Sequence, residues 1–503
     1  MSAKTSTKGK WHAWLFLGFV LLLSYFTYFH RYWDPPRVFW DENYHIASAQ
    51  KYLHNVYFME QHPPLGKLLI ALGEKIFHPN EKTDQFLATD YGTEFDDGFS
   101  FAGYRFFSAL FAWWTAPVLF LIFLALLRNP LHSVLLSFFY IFDNALIVHT
   151  RGAMLEGPLS FFAALTILFF ILTLRDRGRT KSFLLWSILF GVSFGLMVST
   201  KVLGLAFILL TLPILWKLWP RWKRAIGFLA IFGTSALVVF LNIWWIHFSL
   251  GQRINTELPD GGYYQASDTY KDLLATGHTS SLTGFPVMLR DSLAYIPFYN
   301  RGAPRLDFCK EDENGSPPWM WPLGARTINY RWETPDSSAY LYLYLVPNPV
   351  VWWTALAAVL VAASMLVCSV VAPPKRPLKN RFLLFVFLGL YLSFMIAVSR
   401  IPRVLYLYHY FIPLLVSFVL VALVFNEIQS LWRKPLQEHG KTILALTFAA
   451  LIFLGHQYYR PFTYYEPLTD AQFNRRNILN LWDMRCVNCE RNSSLVVPTK
   501  EPN

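Results

Sequence analysis

Two adjacent carboxylates, Asp41 and Glu42, follow the first hydrophobic segment of the chain, and a His-Pro-Pro-Leu-Gly-Lys run begins twenty residues later at His62 and ends at Lys67. Ionised side chains beside a bilayer are costly unless they face water, a partner or a substrate. An acidic pair followed by a histidine and a lysine is therefore a candidate site. The alternative is that Asp41 and Glu42 only cap the next helix, as acidic residues often do.

Further charged residues stand at the ends of other hydrophobic segments and extend this set. They are Arg105, Arg151, Glu156, Lys201, Arg400 and Arg403, and His409 lies one to two turns inside its segment. One such residue alone would more often be a long side chain reaching toward the membrane interface. Together, Arg and Lys beside acidic residues suit a phosphate leaving group and a nucleophile that must lose a proton.

The composition indicates the setting in which these residues work. Of 503 residues, 54% are hydrophobic, 18% are aromatic and only 15% are charged, which indicates a polytopic membrane protein rather than a soluble domain. The net charge of +12 does not indicate nucleic acid, because the basic residues fall mainly in short clusters between apolar runs, where they set orientation in the membrane.

Apolar stretches long enough to cross a bilayer, at about 20 residues each, predict about eleven helices. They cover residues 11–30, 103–127, 131–149, 157–174, 182–199, 203–219, 225–248, 347–371, 382–399, 404–425 and 441–458, with the weakest signals at 131 and 203. With the amino terminus in the cytoplasm, every basic cluster falls on the cytoplasmic side, as positive charge requires. The clusters contain Lys4, Lys8 and Lys10; Arg128; Arg175, Arg177, Arg179 and Lys181; Lys217, Arg221, Lys223 and Arg224; Lys375, Arg376, Lys379 and Arg381; and Arg433, Lys434 and Lys441.

This topology divides the chain into four regions. The first region, residues 1–248, holds helices one to seven and a catalytic first extracytoplasmic loop at 31–102. It is followed by a large extracytoplasmic loop at 249–346. Helices eight to eleven then occupy residues 347–458, and an extracytoplasmic tail occupies residues 459–503. The first hydrophobic segment is expected to stay as an uncleaved helix, because it lacks a small-residue cleavage site. The apolar spacing from Leu65 to Ile76 predicts a helix lying in the membrane interface.

The four cysteines indicate little about function. Cys309 lies in the large loop, Cys368 inside a helix, and Cys486 and Cys489 form a C-x-x-C pair in the tail. A zinc site would need a second ligand pair nearby, and none is evident. In an extracytoplasmic tail, oxidation of the pair is the favoured outcome.

Seven short motifs carry a resemblance to a known family. They are Trp40-Asp41-Glu42, His62 to Lys67, Tyr104-Arg105, Arg151 to Glu156, Ser199-Thr-Lys201-Val-Leu-Gly204, Trp321-Pro322-Leu323 and Tyr408-His409-Tyr410-Phe411. In this order, across about 400 residues, they resemble successive motifs of the protein O-mannosyltransferase family. The large loop is too short for the β-trefoil of MIR units found in eukaryotic members, so the chain looks like bacterial relatives.

The resemblance implies an all-α polytopic protein with the GT-C glycosyltransferase fold. It also implies transfer of mannose from a dolichyl or other polyprenyl phosphate to Ser or Thr of proteins on the extracytoplasmic face, with inversion. The plan is also similar to that of sibling GT-C enzymes that glycosylate a lipid of the lipid A type or a cell-envelope glycan. A transporter fits less well, because the charges gather at one face and no internal repeat appears.

Roles can be assigned to the residues on this basis. Asp41 is the expected general base for the acceptor hydroxyl, and Glu42 serves in positioning, acceptor binding or holding a cation. Arg105, Arg151, Lys201 and Arg403 are the candidates for the donor phosphate. His62, Lys67, Glu156 and His409 are expected near the acceptor or behind these residues.

Ligands and location follow from the same chemistry. No obligatory metal is expected, because basic side chains alone can neutralise a monophosphate leaving group, although a divalent cation is an alternative near paired acids. The expected partners are the lipid-linked sugar donor, a protein or lipid acceptor and membrane lipids, with no nucleic acid and with a homo- or hetero-dimer left open. The expected location is a bacterial inner membrane, or the endoplasmic reticulum membrane in a eukaryote.

A reporter fusion tests the topology. A periplasmic reporter fused after Leu250 is expected to be active, because seven crossings from a cytoplasmic amino terminus place this residue outside. Enzyme activity of the reporter in intact cells is the measurement, with a fusion after Arg224 as the inactive control. An inactive Leu250 fusion would place the whole candidate site on the opposite face.

Overall fold

The computed structural model describes residues 7–310, 313–335, 339–373, 376–431 and 434–486. Four residues used in the sequence analysis, Lys4, Lys375, Arg433 and Cys489, lie outside these ranges. Two compact units make up the chain. The first contains residues 1–28, 113–149 and 304–503, and the second contains residues 29–112 and 150–303.

Helices dominate both units. The α-helices are α1 (Thr7–Ser24), α2 (Glu42–Leu53), α3 (Leu65–Phe77), α4 (Ala102–Leu127), α5 (Pro130–Ile141), α6 (Asn144–Thr150), α7 (Glu156–Arg175), α8 (Thr180–Thr200), α9 (Thr211–Leu218), α10 (Trp222–Leu250), α11 (Gly261–Gln265), α12 (Asp268–Ala275), α13 (Phe285–Gly302), α14 (Pro349–Val371), α15 (Arg381–Ser399), α16 (Phe411–Glu427), α17 (Glu438–Tyr464) and α18 (Asp470–Arg476). A π-helical stretch (Tyr25–Phe29) continues α1.

Shorter elements complete the fold. The 3-10 helices are Val202–Leu210, Pro318–Leu323, Leu407–Tyr410 and Asn480–Trp482. The strands are β1 (Ile328–Glu333), β2 (Tyr340–Leu345), β3 (Ser430–Leu431), β4 (Lys434–Pro435) and β5 (Pro467–Leu468). β1, β2 and β5 form an antiparallel sheet in that order, and β3 pairs with β4.

All eleven predicted segments are helical, and nine helices within the described ranges are long and apolar enough to cross a membrane. The chain is therefore an integral, multi-pass membrane protein. The two weakest sequence signals differ in form from the rest. The segment predicted at 131–149 is broken into α5 and α6 with a bend of 62°, and it makes a tenth span if the pair is counted as one.

The segment predicted at 203–219 begins as a 3-10 helix (Val202–Leu210) and continues as α9. A 3-10 helix rises about 2.0 Å per residue and an α-helix about 1.5 Å, so these seventeen residues have a summed rise of roughly 30 Å. That length matches the hydrocarbon core of a bilayer. The greater rise per residue of the 3-10 helix therefore explains how this segment reaches the thickness of the bilayer core. As an α-helix throughout, it would have too few residues to do so.

The described residues of the large loop predicted at 249–346 contain α11, α12, α13, one 3-10 helix, β1 and β2. Its first part belongs to the second unit and its part from Pro304 onward belongs to the first.

The last spanning helix ends later than the predicted end at residue 458. It continues to Tyr464, because polar residues beyond the apolar run keep helical geometry.

The core of the second unit includes side chains of α2, α3 and α4 and of the turn before α7. On α2 the buried apolar residues include Ile46, Ala49 and Tyr52, which recur at helical spacing and so form one face. Within α3, Leu65, Ile70 and Ala71 are buried, whereas Leu72 and Ile76 are exposed. The predicted helix at this position is confirmed. Its apolar residues are partly buried in the protein and partly exposed, which fits a helix lying in the membrane interface.

Helix α7 meets α4 closely at a glycine. A Cβ atom on Gly157 would lie 2.3 Å from the backbone oxygen of Ser108, which cannot move without shifting α4. The position therefore requires glycine for steric reasons, and it places the first turn of α7 against the start of α4.

Gly157→Ala is expected to destabilise the protein by about 1–3 kcal/mol, the usual cost of overpacking a tight contact. Gly233→Ala is the matched control, because Gly233 also lies in a spanning helix but has no heavy atom within 4 Å of its added Cβ. Thermal unfolding of both purified variants is the measurement. Equal melting temperatures for the two variants would contradict the contact.

Candidate active site

Asp41 stands at the start of α2 without serving as its cap. The backbone oxygen of Asp41 accepts the N–H groups of Tyr44 and His45 at 3.2 and 3.1 Å, but the carboxylate makes no capping hydrogen bond. The side chain is half-buried. The helix therefore begins without using this carboxylate, and the capping alternative does not account for Asp41.

Glu42 is fully buried and forms a bidentate ion pair with Arg105 of α4. Arg105 Nε donates to Glu42 Oε1 at 2.6 Å, and Arg105 Nη2 donates to Glu42 Oε2 at 2.8 Å. Both side chains are 0% exposed. The same carboxylate accepts the backbone N–H groups of Phe39 at 3.1 Å and Ala153 at 2.7 Å. Glu42 thus joins α2, α4 and the turn before α7.

Arg105 has no N–H group left for a ligand. Besides its two bonds to Glu42, the guanidinium donates three hydrogen bonds to backbone oxygens and lies over two aromatic rings. The oxygens belong to Trp33, Pro35 and Arg37, at 2.7 to 2.8 Å, and the rings to Phe39 and Phe101. A guanidinium has five N–H donors, and all are engaged. This geometry does not support the predicted role of Arg105 in phosphate binding and instead indicates a structural role.

His45, one turn along α2 from Glu42, holds the same turn. Its Nδ1 lies 2.7 Å from the backbone oxygen of Ala153, and because that oxygen can only accept, Nδ1 carries the proton. Burial, together with the charge of Lys67, lowers the pKa of His45 to about 3, so the ring is neutral at physiological pH. Both polar backbone groups of Ala153 are therefore held by α2, its N–H by Glu42 and its oxygen by His45.

The turn held in this way also needs glycine at position 152. A Cβ atom there would lie 2.7 Å from the Phe39 ring and 3.1 Å from Glu42 Oε1. A larger residue would push the turn away from Glu42. Arg151, just before it, is buried and donates to the backbone oxygens of His30 and Arg31.

Glu156 and Lys201, predicted on different sides of the reaction, are ion-paired with each other. Glu156 is the first residue of α7, and Lys201 follows the last residue of α8, where the chain changes to the 3-10 helix. Both are almost fully buried and form a short contact between Lys201 Nζ and Glu156 Oε1. The charge of Glu156 also suits the amino-terminal end of α7.

Lys67 of the His-Pro-Pro-Leu-Gly-Lys run is likewise buried and paired. Its ammonium contacts Glu60 Oε1 and donates to Ser48 Oγ at 2.9 Å, and Ser48 Oγ lies 2.7 Å from the same Glu60 oxygen. His62 is half-buried ahead of α3, whose first residue is Leu65. Lys67 therefore ties α3 to α2.

The remaining two predicted residues belong to the first unit. Arg403 precedes the 3-10 helix Leu407–Tyr410 and is half-buried, which makes it the least buried of the four predicted phosphate ligands. His409 lies in that 3-10 helix, with its Nδ1 3.2 Å from the backbone nitrogen of Tyr406 and its ring stacked at 6.2 Å on Trp321. The second unit brings together the other eight: Asp41, Glu42, His62, Lys67, Arg105, Arg151, Glu156 and Lys201.

Sequence reasoning missed His45, Ser48 and Glu60. The first two could have been found, because they follow Asp41 at four and seven residues and so share its helix face. No comparable spacing identifies Glu60, which lies in a segment without regular structure.

Among the described residues, no group of three or more His, Cys, Asp or Glu side chains is arranged to hold a metal ion. Cys486 is disulfide-bonded, and its predicted partner Cys489 is outside the described ranges.

Chemically, the second unit combines one half-buried carboxylate with buried ion pairs around it. Glu42, Glu60 and Glu156 each contact a specific Arg or Lys. Beside this rigid frame, the half-buried Asp41 carboxylate is suited to accept a proton from a bound hydroxyl.

Comparison with known sequences is consistent with this arrangement. The family described as dolichyl-phosphate-mannose-protein mannosyltransferase matches residues 9–251, and the family described as the C-terminal four-transmembrane region of protein O-mannosyltransferase matches residues 304–482. Protein O-mannosyltransferase 1 of Drosophila melanogaster is 27% identical over 292 residues, which are 54% of this chain and 32% of the fly protein. The Candida albicans dolichyl-phosphate-mannose-protein mannosyltransferase 4 is 28% identical over 207 residues, 40% of this chain and 27% of the fungal protein.

The chain spans about a third of the length of the curated relatives it matches. A solved structure of the Saccharomyces cerevisiae protein O-mannosyltransferase Pmt1-Pmt2 complex bound to the sugar donor has the same fold, with a TM-score of 0.80, 14% identity, and coverage of 96% of this chain and 94% of that chain. The predicted all-α GT-C fold is confirmed. The two family matches together cover most of the sequence, and the chain belongs to the protein O-mannosyltransferase family.

Proposed function

We propose that the chain transfers mannose from a dolichyl or other polyprenyl phosphate to Ser or Thr hydroxyls of proteins on the extracytoplasmic face of its membrane. The observation that carries this proposal is the half-buried Asp41 carboxylate, which stands at the start of α2 without a capping hydrogen bond and directly before the buried Glu42–Arg105 pair. Membership of the family supports the donor and the type of acceptor. The multi-pass architecture supports a donor that is delivered as a membrane lipid.

The reaction divides into an acceptor half and a donor half. On the acceptor side, Asp41 takes the proton of the hydroxyl as its oxygen attacks the anomeric carbon, a contribution of about 10²–10⁴ in rate for a positioned base. The glycosidic bond to the carrier phosphate breaks in the same displacement. A single displacement inverts the anomeric centre, and a retaining route would need a second carboxylate placed as nucleophile.

On the donor side, negative charge grows on the departing phosphate and must be stabilised. Positioned Arg and Lys donors can contribute several kcal/mol, of the order of 3 kcal/mol for each well-aimed group. Of the four residues predicted for this role, Arg105 is occupied by Glu42 and three backbone oxygens. Arg151 and Lys201 of the second unit are the proposed phosphate ligands, and Arg403 of the first unit stays a prediction.

Glu42 and His45 act by position rather than by proton transfer. They hold Ala153, and through it the turn that carries Arg151 and leads into Glu156. Lys67, with Glu60, fixes α3 on α2. His62 and His409 are proposed to lie nearer the acceptor.

No obligatory metal is proposed, because a monophosphate leaving group carries less charge than a diphosphate and basic side chains can neutralise it. Transfer that is lost in chelator and restored by one specific ion would contradict this.

The chain is also proposed to work as a homo- or hetero-dimer, since the yeast relatives of the same fold form a two-protein complex. The oligomeric state in detergent, measured by light scattering, tests that proposal.

Asp41→Asn is expected to lower mannosyl transfer by about 10²–10⁴-fold, because the amide cannot accept the hydroxyl proton. Transfer of labelled mannose from polyprenyl-phosphate mannose to a Ser/Thr peptide is the measurement, with Asp84→Asn, an exposed acid, as the control that keeps wild-type activity. A folded Asp41→Asn protein with wild-type activity would remove Asp41 as the base. Label found on lipid or envelope glycan but never on peptide would favour a sibling enzyme with the same donor.

Glu42→Gln is expected to lose stability as well as activity. The substitution leaves the charge of Arg105 buried without its partner, and breaking a buried ion pair in this way costs about 3–5 kcal/mol. Thermal unfolding is the measurement, and Asp84→Asn, at an exposed acid, is the comparison, with an expected change within about 0.5 kcal/mol. Equal stability of the two variants would show that the Glu42–Arg105 pair does not hold the site.

A further inference from the structure

A polar cavity lies in the second unit, at the end of α2 opposite Asp41. Its volume is about 260 Å³, and its walls come from α2, from residues 87–91 and from residues 255–261. Lys51, Asp90 and Asp260 are its charged residues, and none of them belongs to the site described above. Small-molecule sites usually measure about 300–1,000 Å³, so this cavity suits one side chain better than a whole free ligand.

The charge of this cavity is negative at neutral pH. Lys51 Nζ lies 3.0 Å from Asp90 Oδ1 and 3.6 Å from Asp260 Oδ2, so one ammonium stands between two carboxylates. Burial raises the pKa of Asp260 to about 6, which leaves it mostly ionised at pH 7. Burial opposes ionisation of Asp90 as well, but the charge of Lys51 and the hydrogen bond from its ammonium lower the pKa of Asp90 below its usual value.

The walls offer further groups that suit a cation. Tyr91 lines the cavity and is 45% exposed, and its ring lies 5.6 Å from that of Tyr44. Aromatic faces attract ammonium and guanidinium groups. Tyr57, another lining residue, is only 3% exposed, and its hydroxyl is buried without a hydrogen-bond partner. Asp90 is the accessible carboxylate, with a side chain that is 67% exposed, whereas that of Asp260 is 7% exposed.

The distance between Asp41 and the cavity determines how many residues would separate two side chains of one peptide that reach both. Lys51 is ten residues beyond Asp41, which is roughly 15 Å along a helix axis at about 1.5 Å per residue. An extended polypeptide covers that distance in about four or five residues. A peptide whose hydroxyl reaches Asp41 can therefore place another of its side chains in the cavity.

We propose that this cavity is an acceptor subsite that takes one Lys or Arg side chain of the polypeptide, about four residues from the hydroxyl that is modified. The proposal rests on the proposed function, because it presumes a polypeptide acceptor at Asp41. The cationic group pairs with the exposed carboxylate of Asp90 and lies against Tyr91. The subsite thus selects among acceptors without taking part in the transfer.

Peptides with one Ser test this subsite. In a matched series, a single Lys or a single Gln occupies each position from two to seven residues on either side of the Ser, and kcat and KM are measured with the full chain in lipid nanodiscs. At a position about four residues away, the Lys peptide is expected to have a KM about fivefold lower than the Gln peptide, the size of one partly exposed ion pair, with equal kcat. Equal KM values at every position would overturn the proposal.

Two variants assign the effect to the cavity. Asp90→Asn is expected to abolish the preference for Lys while keeping kcat for the Gln peptides, because the side chain is 67% exposed and the substitution removes only its charge. Asp97→Asn, an exposed acid of the same segment that does not line the cavity, is expected to keep the preference. A preference that survives Asp90→Asn would overturn the assignment.

A binding measurement separates this proposal from the proposed function. Fluorescence anisotropy of the labelled peptides is recorded with the full chain in the absence of donor. Tighter binding of the Lys peptide that disappears in Asp90→Asn supports the subsite even if no mannose is transferred, in which case only the proposed function fails. Equal binding of Lys and Gln peptides contradicts the subsite whatever the transfer activity.

Discussion

The buried ion pair between Glu42 and Arg105 is the interaction on which the second unit depends. Removing two charges from water is costly, and the cost is offset only when every donor and acceptor finds a partner. Here all five guanidinium N–H groups and both carboxylate oxygens are engaged, and the partners lie on four separate stretches of chain. The pair therefore specifies how these stretches meet, and Asp41 is positioned because its neighbour Glu42 cannot move.

The other ion pairs repeat this arrangement on a smaller scale. Lys201 with Glu156 joins the end of α8 to the start of α7, and Lys67 with Glu60 and Ser48 joins α3 to α2. Lys67, Arg105 and Lys201, which the sequence analysis assigned to a phosphate or an acceptor, thus each hold two elements together. A charge inside a membrane protein needs a counter-charge, so a residue predicted to bind a ligand is often engaged by the structure itself.

The membrane architecture was predictable because about twenty apolar residues in a row have few other uses. Eight of the ten predicted site residues belong to the second unit, and most of them occur where such apolar runs end. What could not be predicted was which charge meets which. The pairing of Arg105 with Glu42 depends on the packing of α4 on α2, and the pairing of Lys67 with Glu60 depends on an irregular segment that has no periodic pattern. His45 was missed because a histidine that binds a backbone oxygen has no sequence signature beyond its helix face.

The 3-10 helix that follows Lys201 gives one stretch of the chain an adjustable length. If its nine residues became α-helical, the segment would shorten by roughly 4–5 Å, at about 0.5 Å per residue. Bilayers of different cellular compartments differ in thickness by a similar amount. Hydrophobic mismatch would then be absorbed next to Lys201, and the thickness of the bilayer would set the height of the Lys201–Glu156 pair within it.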